Sequence, residues 1–166
     1  NEDGTVIMPP TFQLSPVNDT WIDMNNTGLY ATLRQELWDE LTLSGGLRYE
    51  MNATYGNEWI PQAGISWNPK SSTNLKASVS KGYRAPSLRE LYLFPPANDR
   101  LQPERMLAYE IGWRQYWMKG NIKTELNTFI NAGENLIVLV PPAAPPPPQS
   151  QNSGALNNKG IEFMIK

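Results

Sequence analysis

From residue 41 to residue 51 the chain alternates without a break. Leu41, Leu43, Gly45, Leu47, Tyr49 and Met51 take one phase; Thr42, Ser44, Gly46, Arg48 and Glu50 take the other. Successive residues of a strand point to opposite faces, whereas a helix would scatter this set around its axis, so the segment can only be a strand with one apolar and one polar face. The same signature recurs. In 28–38, Leu29, Ala31, Leu33 and Leu37 share a face, interrupted by Gln35, with Tyr30, Thr32, Arg34 and Glu36 opposite. Segments 59–67, 73–83, 107–117, 121–131 and 155–166 repeat it, which predicts seven strands in all. Pro61 lacks an N–H for the ladder, and it predicts a bulge or a weak start in the third strand.

The composition says what such strands face. Charged residues are only 18% of the chain, against about 25% in ordinary soluble domains. No apolar run approaches the ~20 residues of a spanning helix. The predicted strands have the length of roughly 9–11 residues that a tilted transmembrane strand needs. Connections near Asp39, Asn68 and Lys119 are tight, while 84–106 and 132–154 are long. Trp38, Trp67, Trp113, Tyr116 and Trp117 all lie near the tight ends. Short periplasmic turns, long extracellular loops and an aromatic girdle are the signature of an outer-membrane barrel. The fold class is therefore all-β, an antiparallel transmembrane β-barrel. Two rivals remain from the pattern: a soluble β-sandwich that grips carbohydrate through Trp and Tyr, and a small closed barrel. The small barrel would need an eighth strand from residues 1–27, whose Pro9, Pro10, Pro16 and Asn/Asp-rich stretch read as loop.

Several chemistries are excluded from this segment. It has no cysteine and no histidine, which removes disulfides, Ser-His and Cys-His catalysis, and imidazole ligation of haem or zinc. A net charge of −2 gives no footprint for nucleic acid. No acid pair, glycine-rich phosphate loop or metal cluster stands out. The expectation is no enzyme, no cofactor and no metal; an outer-membrane hydrolase is disfavoured by the missing histidine. The start shows no basic-then-apolar leader.

The most specific stretch is KGYRAPSLRELYLFPPANDRLQPERMLAYE, residues 81–110. Gly82, Tyr83, Arg84, Ala85 and Pro86 with Ser87 and Leu88, then Glu90-Leu91-Tyr92, then Leu101, Pro103 and Glu104, closely resemble the strand–loop–strand motif of the TonB-dependent outer-membrane receptors. Asn158, Gly160 and Glu162, in Asn157-Asn158-Lys159-Gly160-Ile161-Glu162, resemble a second motif of that family. The resemblance covers nearly all of 28–166. It implies an interior piece of a barrel of about 22 strands, without the family's plug domain. The odd strand count and the end at Ile165-Lys166 fit that expectation. The division implied is loop 1–27, strands one to four in 28–83, an extracellular loop in 84–106, strands five and six in 107–131, a proline-rich extracellular loop in 132–154, and strand seven in 155–166. The parent would be an active importer of a scarce nutrient in the bacterial outer membrane, a ferric siderophore first, with cobalamin or glycans as rivals. Its partners would be TonB through the missing plug, outer-membrane lipid, and an extracellular metal chelate or other nutrient. Haem-uptake members carry a histidine between the two halves of the first motif; Ser87 to Asn98 has none.

Candidate ligand-binding residues follow from position. Arg84 and Arg89 are cations in the motif, and Tyr92, Phe94, Tyr55 and Trp59 are aromatics in or beside predicted loops. Ser87-Leu88-Arg89-Glu90 is a capping-box pattern that predicts a helical turn at Ser87. The plainer reading of Arg84 is an ion pair that shapes the exit from strand to loop. Arg34, Glu36, Arg48, Glu50, Lys76, Glu110, Arg114, Lys123, Glu125 and Glu162 are predicted to line the lumen as a mutually compensated wall. The run 141–148 reads as a stiff proline-rich loop insert, or as a polyproline ligand for a partner.

Overall fold

The computed structural model describes residues 24–93, 97–141 and 148–166. Its strands are β1 (Asn26–Leu37), β2 (Leu41–Asn52), β3 (Gly56–Lys70), β4 (Thr73–Arg84), β5 (Glu104–Trp117), β6 (Ile122–Val140) and β7 (Gln149–Ile165). They form one antiparallel sheet in sequence order, a pure meander with β1 and β7 at its edges. Most connections are too short for crossovers, which favours sequential antiparallel pairing; the longer one between β4 and β5 also joins antiparallel neighbours. Residues 1–23 lie outside the described part, so the loop predicted over 1–27 is seen only at its end, where β1 already begins at Asn26.

The register sorts the two faces. Leu33 pairs with Gly45, Gly45 with Ala63, Ala63 with Val79, Val79 with Tyr109, and Tyr109 with Ile130. Directly paired residues share a face, so this row belongs to a continuous apolar surface that also holds Leu47, Ile65, Ile111, Leu126 and Phe163. Those large side chains are exposed, Ile161 to 76% and Phe163 to 62%. In water such a surface is an aggregation liability; against lipid it is the wall of a barrel. All ten charges predicted for the lumen fall on the opposite face. Ion pairs there join Lys76 to Glu110 at 2.6 Å, Lys123 to Glu125 at 2.8 Å, Arg114 to Glu125, and Arg34 to Glu36 at 3.3 Å.

At one end the turns are tight, as predicted: Trp38 takes a left-handed conformation before β2, and Met118–Gly120 is a single 3-10 turn between β5 and β6. Trp38, Trp67, Tyr116 and Trp117 are exposed there. At the other end the turn after β2 is closed by Asn52, whose Oδ1 accepts from the N–H groups of Thr54 (2.9 Å) and Tyr55 (3.0 Å). Gly56 follows at φ 77°, a conformation that glycine adopts without strain.

Of the two outcomes expected at Pro61 the weak start is the one found: there is no bulge against β2, where Pro61 pairs with Leu47 in unbroken register. Its effect is on the other side: pairing of β3 with β4 begins only at its neighbour Gln62, so the two strands part above that level. The strands also outrun their predicted bounds; β3 reaches from Gly56 to Lys70, and β5 starts at Glu104. The largest correction is the loop predicted over 132–154. There β6 runs on to Val140 and β7 starts at Gln149, with Val140 opposite Gln149. An irregularity at 133–137, with Asn135 at φ 56°, shifts the register twice, between Gly133 and Leu136 and again between Leu136 and Ile137. Of the proline-rich run, residues 142–147 lie outside the described part.

Candidate functional site

The wall has almost no interior of its own, being one sheet exposed on both faces. Among the described residues, the buried apolar side chains are concentrated in the connection from β4 to β5: Leu91 and Leu101 are each 1% exposed, and Pro86 is likewise buried. Pro103 is buried beside them in sequence. The motif residues Pro86, Leu101 and Pro103 therefore hold this connection down onto the long-loop end of the wall.

Arg84 sits where the two strands end. It lies directly opposite Glu104 in the ladder, and its Nε donates to Glu104 at 2.5 Å. Its Nη1 donates to both oxygens of Glu90, at 3.1 and 3.2 Å. Glu90 in turn accepts from the backbone N–H and the hydroxyl of Ser87, both at 2.8 Å, while the Glu90 N–H donates back to the Ser87 hydroxyl at 3.3 Å. That is the predicted capping box, and it starts the short π-helical turn Arg89–Leu93. Burial pushes the Glu90 carboxyl up, but the Arg84 guanidinium and the two Ser87 donors outweigh it and hold it below its ordinary value. Glu104 has a second task. Its other oxygen accepts from the backbone N–H of Ile137 at 2.7 Å, just past the β6 bulge.

A second set of bonds ties the connection to the extended hairpin. Asn152 accepts from the Gln102 N–H at 2.7 Å and donates to the Gln102 carbonyl at 2.8 Å and to the Asn135 carbonyl at 2.6 Å. Asn98 donates to the Ser150 carbonyl at 2.8 Å, and Gln149 to that of Ala97 at 3.0 Å. The two regions predicted as separate loops thus form one body.

On the polar face beside this body lies a cavity of about 390 Å³. Arg48, Glu50 and Asn52 line it from β2, and Lys81 to Tyr83, Ala85 and Pro86 from the motif. Glu50, 4% exposed, is held by Asn26 Nδ2 and by Arg48 Nε at 2.6 Å. In the gap where β3 leaves β4, the Glu58 carboxylate takes Lys81 and, at 2.8 Å, Arg105. Periodicity gave no hint of this pairing, because it depends on the strands parting above Pro61.

The candidate residues do not all meet. Arg84, Tyr92 and Tyr55 gather at the long-loop end; burial and the neighbouring Tyr92, Tyr83 and Glu90 raise the Tyr55 phenol above its ordinary range. Arg89 is exposed on the same turn. Trp59 stands apart: it pairs with Tyr49 on the apolar face, ring centroids 4.3 Å apart. Phe94 lies outside the described residues. Asn158, Gly160 and Glu162 belong to the wall, opposite Asn131, Phe129 and Asn127. A Cβ at Gly160 would come within 2.6 Å of the Phe129 ring, so the motif glycine lets that ring lie across β7.

The family model described as TonB dependent receptor-like, beta-barrel, matches residues 2–166. The chain belongs to the TonB-dependent receptor β-barrel family. It is 27% identical over 146 residues to the vitamin B12 transporter BtuB of Vibrio cholerae serotype O1, covering 87% of this chain and 23% of that protein. Among solved structures it resembles the siderophore receptor PirA of Pseudomonas aeruginosa, with a TM-score of 0.73, 23% identity, and coverage of 84% of this chain and 28% of that one. The ferric enterobactin receptor PfeA of the same species, in complex with enterobactin, matches with a TM-score of 0.69, 22% identity, and coverage of 84% and 24%. The chain thus spans about a quarter of the length of these relatives. A family whose members are receptors and transporters replaces the soluble sandwich and the small closed barrel as readings of the pattern.

Proposed function

We propose that this chain is part of the wall and mouth of an active importer in the bacterial outer membrane. It takes up a scarce nutrient, with a ferric siderophore as the first candidate. The observation that carries this is the pairing of a two-faced wall with a single braced body at its long-loop end. The apolar face meets lipid, the polar face lines the passage, and the body presents Arg84, Arg89, Tyr92 and Tyr55 where an extracellular chelate would arrive. Energy would come from TonB through a plug domain carried elsewhere in the protein. The segment itself performs no catalysis and calls for no resident cofactor or metal.

The likeness to siderophore receptors favours an iron chelate; the likeness to BtuB favours cobalamin as a second reading. A transport assay separates them. Cells expressing the full-length protein are given ⁵⁵Fe loaded on a catecholate or a hydroxamate, or labelled cyanocobalamin, with and without a proton-motive-force uncoupler. Uncoupler-sensitive accumulation of iron supports the first reading. Accumulation of cobalamin alone selects the second, and accumulation of neither sinks both.

A further inference from the structure

At the seam between β3 and β4 the two strands run on without pairing. Their ladder stops at Gln62 and Ser80, yet β3 continues to Gly56 and β4 to Arg84. Each stays paired on its far side, β3 with β2 as far as Asn52 and β4 with β5 as far as Glu104. Both stretches are therefore strands with one unpaired edge. The nearest atoms that a Cβ at Gly82 would meet all belong to Met106 of β5, so β3 does not crowd β4 at that level.

A carboxylate crosses the gap. By its pairing with Glu50, Glu58 belongs to the polar face. Its partners Lys81 and Arg105 belong to the apolar phase, opposite Leu107 and Tyr83. In a closed ladder, side chains on opposite faces are kept apart by the backbone between them; Glu58 reaches through because the strands part. Its Oε2 accepts from Arg105 Nε at 3.1 Å and Nη2 at 2.8 Å, and its Oε1 accepts from Lys81. Turning outward also takes it away from Glu50 directly opposite, where two carboxylates repel.

The same strands have a second arrangement within reach. Continuing the register of Gln62 with Ser80 would set Pro61 opposite Lys81, Ile60 opposite Gly82, Trp59 opposite Tyr83 and Glu58 opposite Arg84. That would add ladder bonds and an aromatic pair on the apolar face. It would also strip Lys81 and Arg105 of their carboxylate, and crowd a third carboxylate onto Arg84 beside Glu90 and Glu104. The cavity of about 390 Å³ lies on the parted strands, with Ile60 on one side and Lys81, Gly82 and Tyr83 on the other. A paired seam, at about 4.8 Å between strands, would narrow it.

We propose that this seam is a two-position device: Glu58 latches it open beside the cavity, and release of the latch lets β3 zip onto β4 and narrow the cavity. A ligand seated in the cavity would bind the parted arrangement and hold it so.

Disulfide trapping in the full-length protein in lipid tests the device. Ile60→Cys and Gly82→Cys would face each other directly in the zipped register, within the Cα separation of about 4.4–6.8 Å that a disulfide needs. The trapping rate under mild oxidant is measured with Glu58 intact and with Glu58→Gln, which removes the charge and keeps the shape. Trapping should quicken about 5- to 10-fold in Glu58→Gln. Added salt should quicken it with Glu58 intact and not in Glu58→Gln. A second measurement uses no cysteine: amide exchange in 57–61 and 81–84 should slow in Glu58→Gln as the free edges pair. Equal trapping rates in the two proteins, whether fast or slow, overturn the proposal. So does faster exchange of these segments in Glu58→Gln, which would make Glu58 a brace of one fixed arrangement.

Discussion

Besides the turn after β2, two longer connections leave the long-loop end of the wall, and they are built by opposite means. The one between β4 and β5 folds over itself around buried Pro86, Leu91 and Leu101, with Arg84 and the capping box fixing its exit. In the one between β6 and β7 the ladder continues as far as Val140 and Gln149. Backbone pairing stabilises the second and apolar burial the first. Each region also lacks what the other has, and the two are joined through Asn152, Asn98, Gln149 and Glu104. The end of such a wall can thus be cross-linked without a hydrophobic core of ordinary size, by a small buried cluster bonded to an extended hairpin.

The comparison breaks most sharply at the buried cluster. Leu101→Ala should loosen the 85–103 connection by about 2–5 kcal/mol, the range for removing a buried leucine. Limited proteolysis of the full-length protein should show new cleavage there, with β6–β7 left intact. Next comes the joint. Asn152→Ala removes two hydrogen bonds between the two regions and a third within the hairpin, each worth roughly 0.5–1.5 kcal/mol, and amide exchange should rise in 97–104 and 149–154 together. Exchange in only one of them would show that they are not one body. Arg84→Gln should act more weakly, at about 1 kcal/mol or less, because half of its side chain is in water.

The smallest effect is titration. Glu90 has a folded value below its ordinary 4.5, so its contribution to loop order is complete above 4.5 and is lost as the pH falls through the lower folded value. Protease sensitivity of the connection should therefore rise only on the acid side of 4.5, and Glu90→Gln should abolish that step.

The wall was legible from sequence because its rule is local. The period-2 alternation of residues 41–51 needs no partner to be recognised, and the phase so read places the ten predicted charges on the polar face, although Lys81, Arg105, Glu134 and Lys159 fall in the other phase. The capping box was legible for the same reason, since Ser87 and Glu90 are three residues apart. The extended hairpin was not. Leu136 to Val140 are apolar in succession, with no alternation to read, and the irregularity at 133–137 interrupts the phase just before them. The bonds from Asn98 and Gln102 span 52 and 50 residues, beyond any local pattern. Trp59 shares the phase of Ala63, Ile65 and Trp67, so its face was legible, whereas its ring contact with Tyr49 depends on cross-strand register.

The central claim is that the apolar face meets lipid and the polar face meets the passage. This stretch has no cysteine, so single nitroxide labels can be placed along β5 at Tyr109, Glu110, Ile111 and Gly112 of the full-length receptor in lipid. Collisions with oxygen should dominate at 109 and 111, and collisions with a water-soluble nickel chelate at 110 and 112. A uniform profile, or one in the opposite phase, would contradict the account.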